Sequence, residues 1–437
     1  MKHERAPDTL DLRTDAEVIR VSFRVTTPLF GGGVHLGDKD HAHLKEPDAI
    51  TPVRGATVRG QLRFWWRAAW GCRYPLSEMR EREGLIWGRA ADQKSGIGPG
   101  RVSLSIEGRP TLARERGIGI RGGPEVPDGR QYGAFPLRPR TGDPGWLHTL
   151  SGELRLDLRI RPGGREEQAL DEDDREGIRR AVLAWLAFGG IGGRTRRGFG
   201  AVQQTLYRGQ PPLGATLLEL GGPDPAQPEA VLRHLQAGLT NAAQVPSLVG
   251  ATMALRNLNQ SSGLDALDEG LNRLRLFRQG SGVARNPGPT PRQPKRSFWP
   301  EADAIRRIMR RRSGKHADVL TRTDAFPRAA FGLPIIFHFK DDTLGDPTDT
   351  TLKPANAERF ASPLIIRPFR NAQGRYDVLA LRLGGPGPGP VDLGGTSATG
   401  VTTTLTSADL TQDLRKLNTT LGGNPDVLAA FLHFFQR

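Results

Sequence analysis

Between Gly189 and Gly200 the chain reads GGIGGRTRRGFG: six glycines, three arginines and one threonine, with no acid among them. Glycine reaches φ > 0 and lets a backbone approach a ligand closely. Successive bare N–H groups form a concave anion site, and arginine adds a fork of donors that matches phosphate. The chemistry these types suit is the holding of a phosphate chain, by Gly192, Gly193, Arg194, Thr195, Arg196, Arg197, Gly198 and Phe199. No Gly-Lys-Ser/Thr follows, so this is not a Walker loop. The glycines come after a helical pattern rather than between a strand and a helix, so it is not a dinucleotide fingerprint. The plain alternative is a helix-ending turn with solvated arginines.

A second basic feature lies in ITPVRGATVRGQLRFWWRAAWG, Ile50 to Gly71. The spacing predicts a helix capped by Thr57 and ended at Gly71, with Leu62, Trp65, Trp66 and Ala69 on one face. Arg59, Arg63 and Arg67 form an i, i+4, i+8 row beside that face, and Arg54 precedes the helix. Like charges at this spacing repel, and the row has no acid at i±4, so an anion would relieve it. A solvated face of an amphipathic helix is the alternative, and it already accounts for the tryptophans. A third candidate is the loop holding His35, Asp38, Asp40, His41 and His43. Its spacing fits no standard zinc motif. One of its side chains acting as an RNA-cleaving base, or a merely polar loop, are the other readings.

These residues need positioning elements. Glu17 to Thr26 alternates like a strand, and so does Glu153 to Ile160. Leu85 to Gly88 and Arg101 to Ile106 read as a short strand after a Gly-rich turn, and Gly117 to Arg130 as loop. Ile178, Val182, Trp185 and Leu186 make a helical stripe over Arg175 to Phe188, led by the acidic run Asp171 to Asp174 and stopped by Gly189. A strand is expected from Phe199 to Leu206. Strand, helix, strand, strand, helix, strand is the split βαβ, ferredoxin-like order.

Pro/Gly-rich passages at 209–214 and 221–227 mark a boundary. Beyond it, helices are expected over Glu229 to Ala237, Gly263 to Arg278, from about Pro300, and over Leu428 to Phe435. Strands are expected over Leu333 to Lys340, Leu364 to Phe369 and Val378 to Leu383, with a loop over Gly384 to Gly395. Arg278 to Trp299 holds no acid and five cations, which reads as a basic loop able to order on a polyanion.

Lys and Arg outnumber Asp and Glu by 62 to 47 in 437 residues, a net charge of +15, which points to a polyanionic partner. No apolar run is long enough for a membrane span, and MKHERAPDTLDLR has no apolar h-region. The single cysteine, Cys72, excludes an internal disulfide framework and a Cys-rich zinc site. A cytoplasmic location without a cofactor is expected.

Six blocks carry a resemblance: TPLFGGG (Thr27 to Gly33), TPVRGATVRGQLRFWWRA (Thr51 to Ala68), GGIGGRTRRGFGA (Gly189 to Ala201), WPEADAIR (Trp299 to Arg306), FPRAAFGLPIIFHF (Phe326 to Phe339) and RFASPLIIRP (Arg359 to Pro368). Together they resemble the RAMP superfamily of CRISPR effector proteins. Within it, they are similar to the family of first subunits of the type III-B (Cmr) complex. The resemblance implies an α+β chain of two ferredoxin-like (RRM-like) domains with long loop insertions, divided into 1–207 and 208–437. It implies no chemistry of the chain's own. The partners it implies are CRISPR guide RNA, single-stranded target RNA and other Cmr subunits, backbone RAMP subunits included. Arg54, Arg59, Arg63 and Arg67 would lie in the family's arginine helix and Gly192 to Phe199 in its glycine-rich loop, both meeting RNA backbone. Backbone RAMP subunits cleave RNA with an aspartate after the first strand. Asp38 and Asp40 stand there, but the head subunit is not the slicer. Two rivals remain: a metal-independent endoribonuclease maturing CRISPR RNA through His35, His41 or His43, and a purely structural subunit.

Overall fold

The computed structural model describes residues 17–31, 51–89, 98–118, 128–135, 145–161, 169–205, 216–279, 297–314, 322–339, 342–394, 396 and 401–437. The chain opens with β1 (Glu17–Val25), whose Ile19, Val21, Phe23 and Val25 are buried on one face. Next come α1 (Gly55–Ala69), α2 (Leu76–Trp87), β2 (Val102–Glu107), the hairpin of β3 (Thr111–Ile118) and β4 (Gly145–Ser151) with the short α3 (Asp128–Gly133) between them, and β5 (Leu154–Ile160). Then follow α4 (Glu172–Phe188), β6 (Val202–Thr205) and β7 (Thr216–Leu218). The sheet order is β2-β5-β1-β6, every neighbour antiparallel, with β7 parallel to the start of β1. On the sheet's second face Arg20 and Asp157 form a buried ion pair at 2.5 Å.

Helices α1 and α4 cover the apolar face. Trp65 and Trp66 of α1 and Trp185 and Phe188 of α4 are almost wholly buried there, each worth roughly 1.5–3 kcal/mol of burial. The helices approach closely because Gly177 has no side chain: a Cβ there would lie 2.4 Å from the Trp70 ring. α4 starts on a capping box in which Asp171 accepts from the Asp174 amide at 2.7 Å and Asp174 accepts from the Asp171 amide.

The remainder adds α5 (Pro228–Gln236), β8 (Ser247–Gln260), α6 (Gly263–Gln279), α7 (Glu301–Met309), β9 (Ile335–Phe337), β10 (Thr350–Pro354), β11 (Leu364–Arg370), β12 (Tyr376–Gly384), β13 (Val391–Leu393), α8 (Arg415–Leu421) and α9 (Val427–Gln436). Strands β11, β12 and β8 form an antiparallel sheet in that order, and β13, β10 and β9 a smaller one packed with α7. The β11-β12-β8 sheet is apolar on both faces. Val378, Ala380 and Ile366 pack with α6 and α9, while Leu379, Leu381 and Ile365 join the core of α1 and α4. The α1–α4 layer thus lies between two sheets.

Several expectations are corrected. α1 begins at Gly55 with Arg54 as its N-cap residue, so Thr57 is not the cap, and no side chain caps this helix. Leu85–Gly88 is not a strand; it is the last turn of α2 and its C-cap. Thr111–Ile118 and Asp128–Gly133 occupy part of what reads as loop, and Val391–Leu393 pairs with β10. β8 has no counterpart in the sequence reading, and among the described residues of 333–340 only Ile335–Phe337 is strand.

Candidate nucleic-acid interface

The Gly-Arg loop is the return from α4 to β6. It is pinned to the segment after β1. Gly193 N donates to Phe30 O at 2.7 Å and Gly200 N to Pro28 O at 2.8 Å. The Thr27 hydroxyl donates to Gly198 O at 2.7 Å and accepts from Ala201 N at 2.8 Å. Within the loop Ile191 N reaches Gly200 O, Arg197 N reaches Arg194 O, and Gly198 N reaches Thr195 O. These amides are spent on the protein itself, contrary to the bare-amide cradle expected from the glycines. Gly192 (φ 82°) and Gly198 (φ 75°) are needed for close approach: a Cβ would lie 2.2 Å from Phe30 O at the first and 2.7 Å from Ile366 O at the second. Gly198 and Phe199 are buried, and the Phe199 ring sits 4.9 Å from that of Phe30. Both leave the candidate interface as contact residues. Gly193 is the exposed tip.

The three loop arginines point to backbone carbonyls of other elements. Arg194 donates through Nε and Nη2 to Gly133 O at 2.8 and 2.6 Å. Arg196 donates to Ser362 O at 2.5 Å and lies over the Phe64 ring, 5.3 Å from its centroid. Arg197 donates to Leu364 O at 3.2 Å. A fourth cation, Arg278 at the end of α6, donates to the Tyr132 hydroxyl at 2.7 Å. Burial, with Arg194, Arg278 and Arg196 as like-charged neighbours, pushes Arg197 down to about 9. Burial lowers Arg194 and Arg196 as well. Among the described residues none of the four has a carboxylate partner. A carbonyl supplies a dipole and no opposing charge, so these partners do not cancel the guanidinium charge.

The row on α1 is different. Arg63 donates to Glu83 Oε1 at 2.7 Å, and Arg67 lies 3.5 Å from the same oxygen. Glu83 is 4% exposed and belongs to α2, so the absence of an acid at i±4 on α1 does not leave this row unpaired. Arg59 is half-buried with its Nε unpartnered, and Arg54 is exposed with no side-chain partner among the described residues. The loop and the row meet the same helix on different flanks: Phe64 faces Arg196, while Arg63 turns to α2.

Sequence reasoning passed over Glu83, for which an unread α2 is the cause, and Arg367. The latter lies inside the RFASPLIIRP block and is buried on β11. It donates to the carbonyls of Leu186 (2.7 Å), Ala187 and Val202. Burial pushes it down to about 9. His35, Asp38, Asp40, His41, His43 and the basic loop after Gln279 up to Arg296 lie outside the described residues. Among those described, no group of three or more His, Cys, Asp or Glu side chains could hold a metal ion, and no helix is long and apolar enough to cross a membrane.

Comparison with known proteins gives one family: residues 22–203 match the RAMP superfamily model. No curated protein matches. Similar solved structures include Cmr1 from Pyrococcus furiosus in its apo form (13% identity, 84% of this chain and 88% of that chain, TM-score 0.45). Others are type III-B Cmr-beta bound to cognate target RNA and AMPPnP in the presence of ssDNA (11%, 96% and 99%, TM-score 0.43) and Cmr-beta bound to cognate target RNA (11%, 92% and 98%, TM-score 0.41). None of these likenesses reaches a TM-score of 0.5, and none bears on what this chain binds. The family match takes in α1, α4 and the whole Gly-Arg loop, so residues 22–203 of this chain are similar to the RAMP superfamily.

Proposed function

We propose that this chain is a non-catalytic RNA-binding subunit of a type III-B CRISPR (Cmr) effector complex, working in the cytoplasm. It holds CRISPR guide RNA and single-stranded target RNA by their backbone, beside other Cmr subunits. The observation that carries the reading is the group Arg194, Arg196, Arg197 and Arg278, gathered at a RAMP-like loop with carbonyls and a phenol as partners and, among the described residues, no carboxylate. A phosphodiester supplies the missing negative charge. Phosphate contacts give affinity and register, and base pairing with the guide gives sequence. The same reading takes 1–207 and 208–437 as two ferredoxin-like units. The βαββαβ order of β1, α1, β2, β5, α4 and β6 supports the first, and β8, α6, β11, β12 and α9 support a shorter second.

The test is the anisotropy of labelled single-stranded RNA across a salt series. Replacing Arg194, Arg196 and Arg197 with Gln keeps an amide donor for each carbonyl and removes the charge. The salt slope is expected to fall by about 2, near 0.7 for each phosphate no longer neutralised. An unchanged slope overturns the role of the loop. The RNA should emerge intact from incubation with the protein in EDTA; specific cleavage would instead favour the endoribonuclease reading.

A further inference from the structure

Resting on that RNA-binding reading, we infer that the hollow between α1, the Gly-Arg loop and β11 takes one unstacked base of single-stranded RNA. The hollow has a volume of about 210 Å³, on the scale of one heterocyclic ring system. Phe64, Trp65, Phe188 and Ile365 form its apolar walls, and Gln61, Thr195 and Arg196 its polar rim. Among the described residues no carboxylate lines it, and its apolar walls suit a flat heterocycle better than a bare phosphate. Single-stranded RNA is recognised by this combination: bases stacked on aromatic rings or guanidinium planes, with hydrogen bonds to their edges.

The rim has unspent hydrogen-bonding capacity. Among the described residues, neither the Gln61 carboxamide nor the Thr195 hydroxyl has a partner. Arg196 donates Nη1 to Ser362 O and keeps the rest of its fork while stacking on Phe64. The Trp65 indole N–H, in the same wall, is buried without a partner. Charge complementarity names the occupant. Arg194 and Arg197 flank Arg196 in the chain with no counter-charge among the described residues, so a polyanion is drawn to this mouth rather than an apolar peptide. A base locked in a duplex cannot enter, which selects single-stranded RNA.

The experiment compares the full chain with Gln61→Trp, which fills the hollow from its half-buried rim, and with Phe64→Leu, which keeps apolar volume and removes the ring. Each should bind single-stranded RNA about ten-fold more weakly, the scale of a single base–aromatic stack. The salt slope should stay that of the wild type, because the arginines that meet phosphate are untouched. Thiouridine-substituted RNA should crosslink to the peptide holding Gln61 and Phe64 in the wild type and not in Gln61→Trp. Thermal melts of both variants check that they fold. Wild-type affinity in both variants overturns the base site and leaves the RNA reading standing. Absence of RNA binding by the wild type sinks both. Retained RNA affinity without co-purification of other Cmr subunits would mean that the hollow receives a protein side chain, and the inference falls.

Discussion

Two arginine-rich regions of this protein meet the same helix and partner their guanidinium groups in opposite ways. Around α1, α2 and α4 several guanidinium groups find carboxylates. Arg63 and Arg67 share Glu83, Arg82 meets Asp174 at 2.9 Å, Arg73 meets Asp173 at 3.1 Å, and Arg179 and Arg180 share Glu176 at 3.0 and 2.8 Å. In the Gly-Arg loop and on β11 they find carbonyls. Both arrangements engage N–H donors, but only the first cancels the charge. The capacity to draw an external anion therefore depends on the partner of each arginine, and a count of arginines misplaces it.

The largest effect expected from breaking this contrast is at Arg367. Arg367→Met strips the donors from the Leu186, Ala187 and Val202 carbonyls and should cost about 3 kcal/mol in urea denaturation. A loss below about 1 kcal/mol would mean that these carbonyls find other donors and that carbonyl-held arginines are not structural ties. Glu83→Gln sharpens the comparison from the other side. It should cost ~1–2 kcal/mol of stability, because a buried hydrogen bond loses its charge. It should also steepen the RNA salt slope by up to about 1.4, because Arg63 and Arg67 regain their free charge. A slope identical to the wild type would show that this flank does not meet RNA even when unmasked.

The smallest effect is at Glu176. Burial alone would raise its carboxyl, but hydrogen bonds from Arg180 and Arg179 bring it below its ordinary value. A folded value lower than the unfolded one stabilises above the ordinary carboxylate range, and that contribution is lost as pH falls through the folded value. Glu176→Gln should therefore cost ~0.5 kcal/mol at neutral pH, a partly exposed pair being screened. The difference should vanish in acid. A difference that persists there would assign the loss to packing.

What could be read from the sequence followed local periodicity. β1, β5, α4, α6 and α9 each carry a regular apolar pattern, and each stands within a few residues of its expected place. α2 does not: LSEMREREGLIW puts charges through its middle, and its apolar end imitates a strand. With α2 unread, Glu83 was invisible as a partner of Arg63, since an i±4 check sees only one helix. β8 escaped because Gly250 adopts φ 66° inside it and its alternation is broken against β12. At the loop, residue type pointed to anion chemistry, but the acceptors Gly133, Ser362 and Leu364 are remote in the chain. Distant backbone carbonyls leave no mark on composition or spacing.

The α1–α4 layer, walled by a sheet on either side, has a consequence for dissecting the molecule. A fragment ending at Thr205 would lose Ile365, Leu379 and Leu381 from its helices and present that bare area to water, a surface prone to self-association. The complementary fragment would expose the matching face of β11 and β12. Neither half is a spare part: truncation at the Pro/Gly boundary removes a wall, and the shared core is expected to make the two halves unfold in one transition.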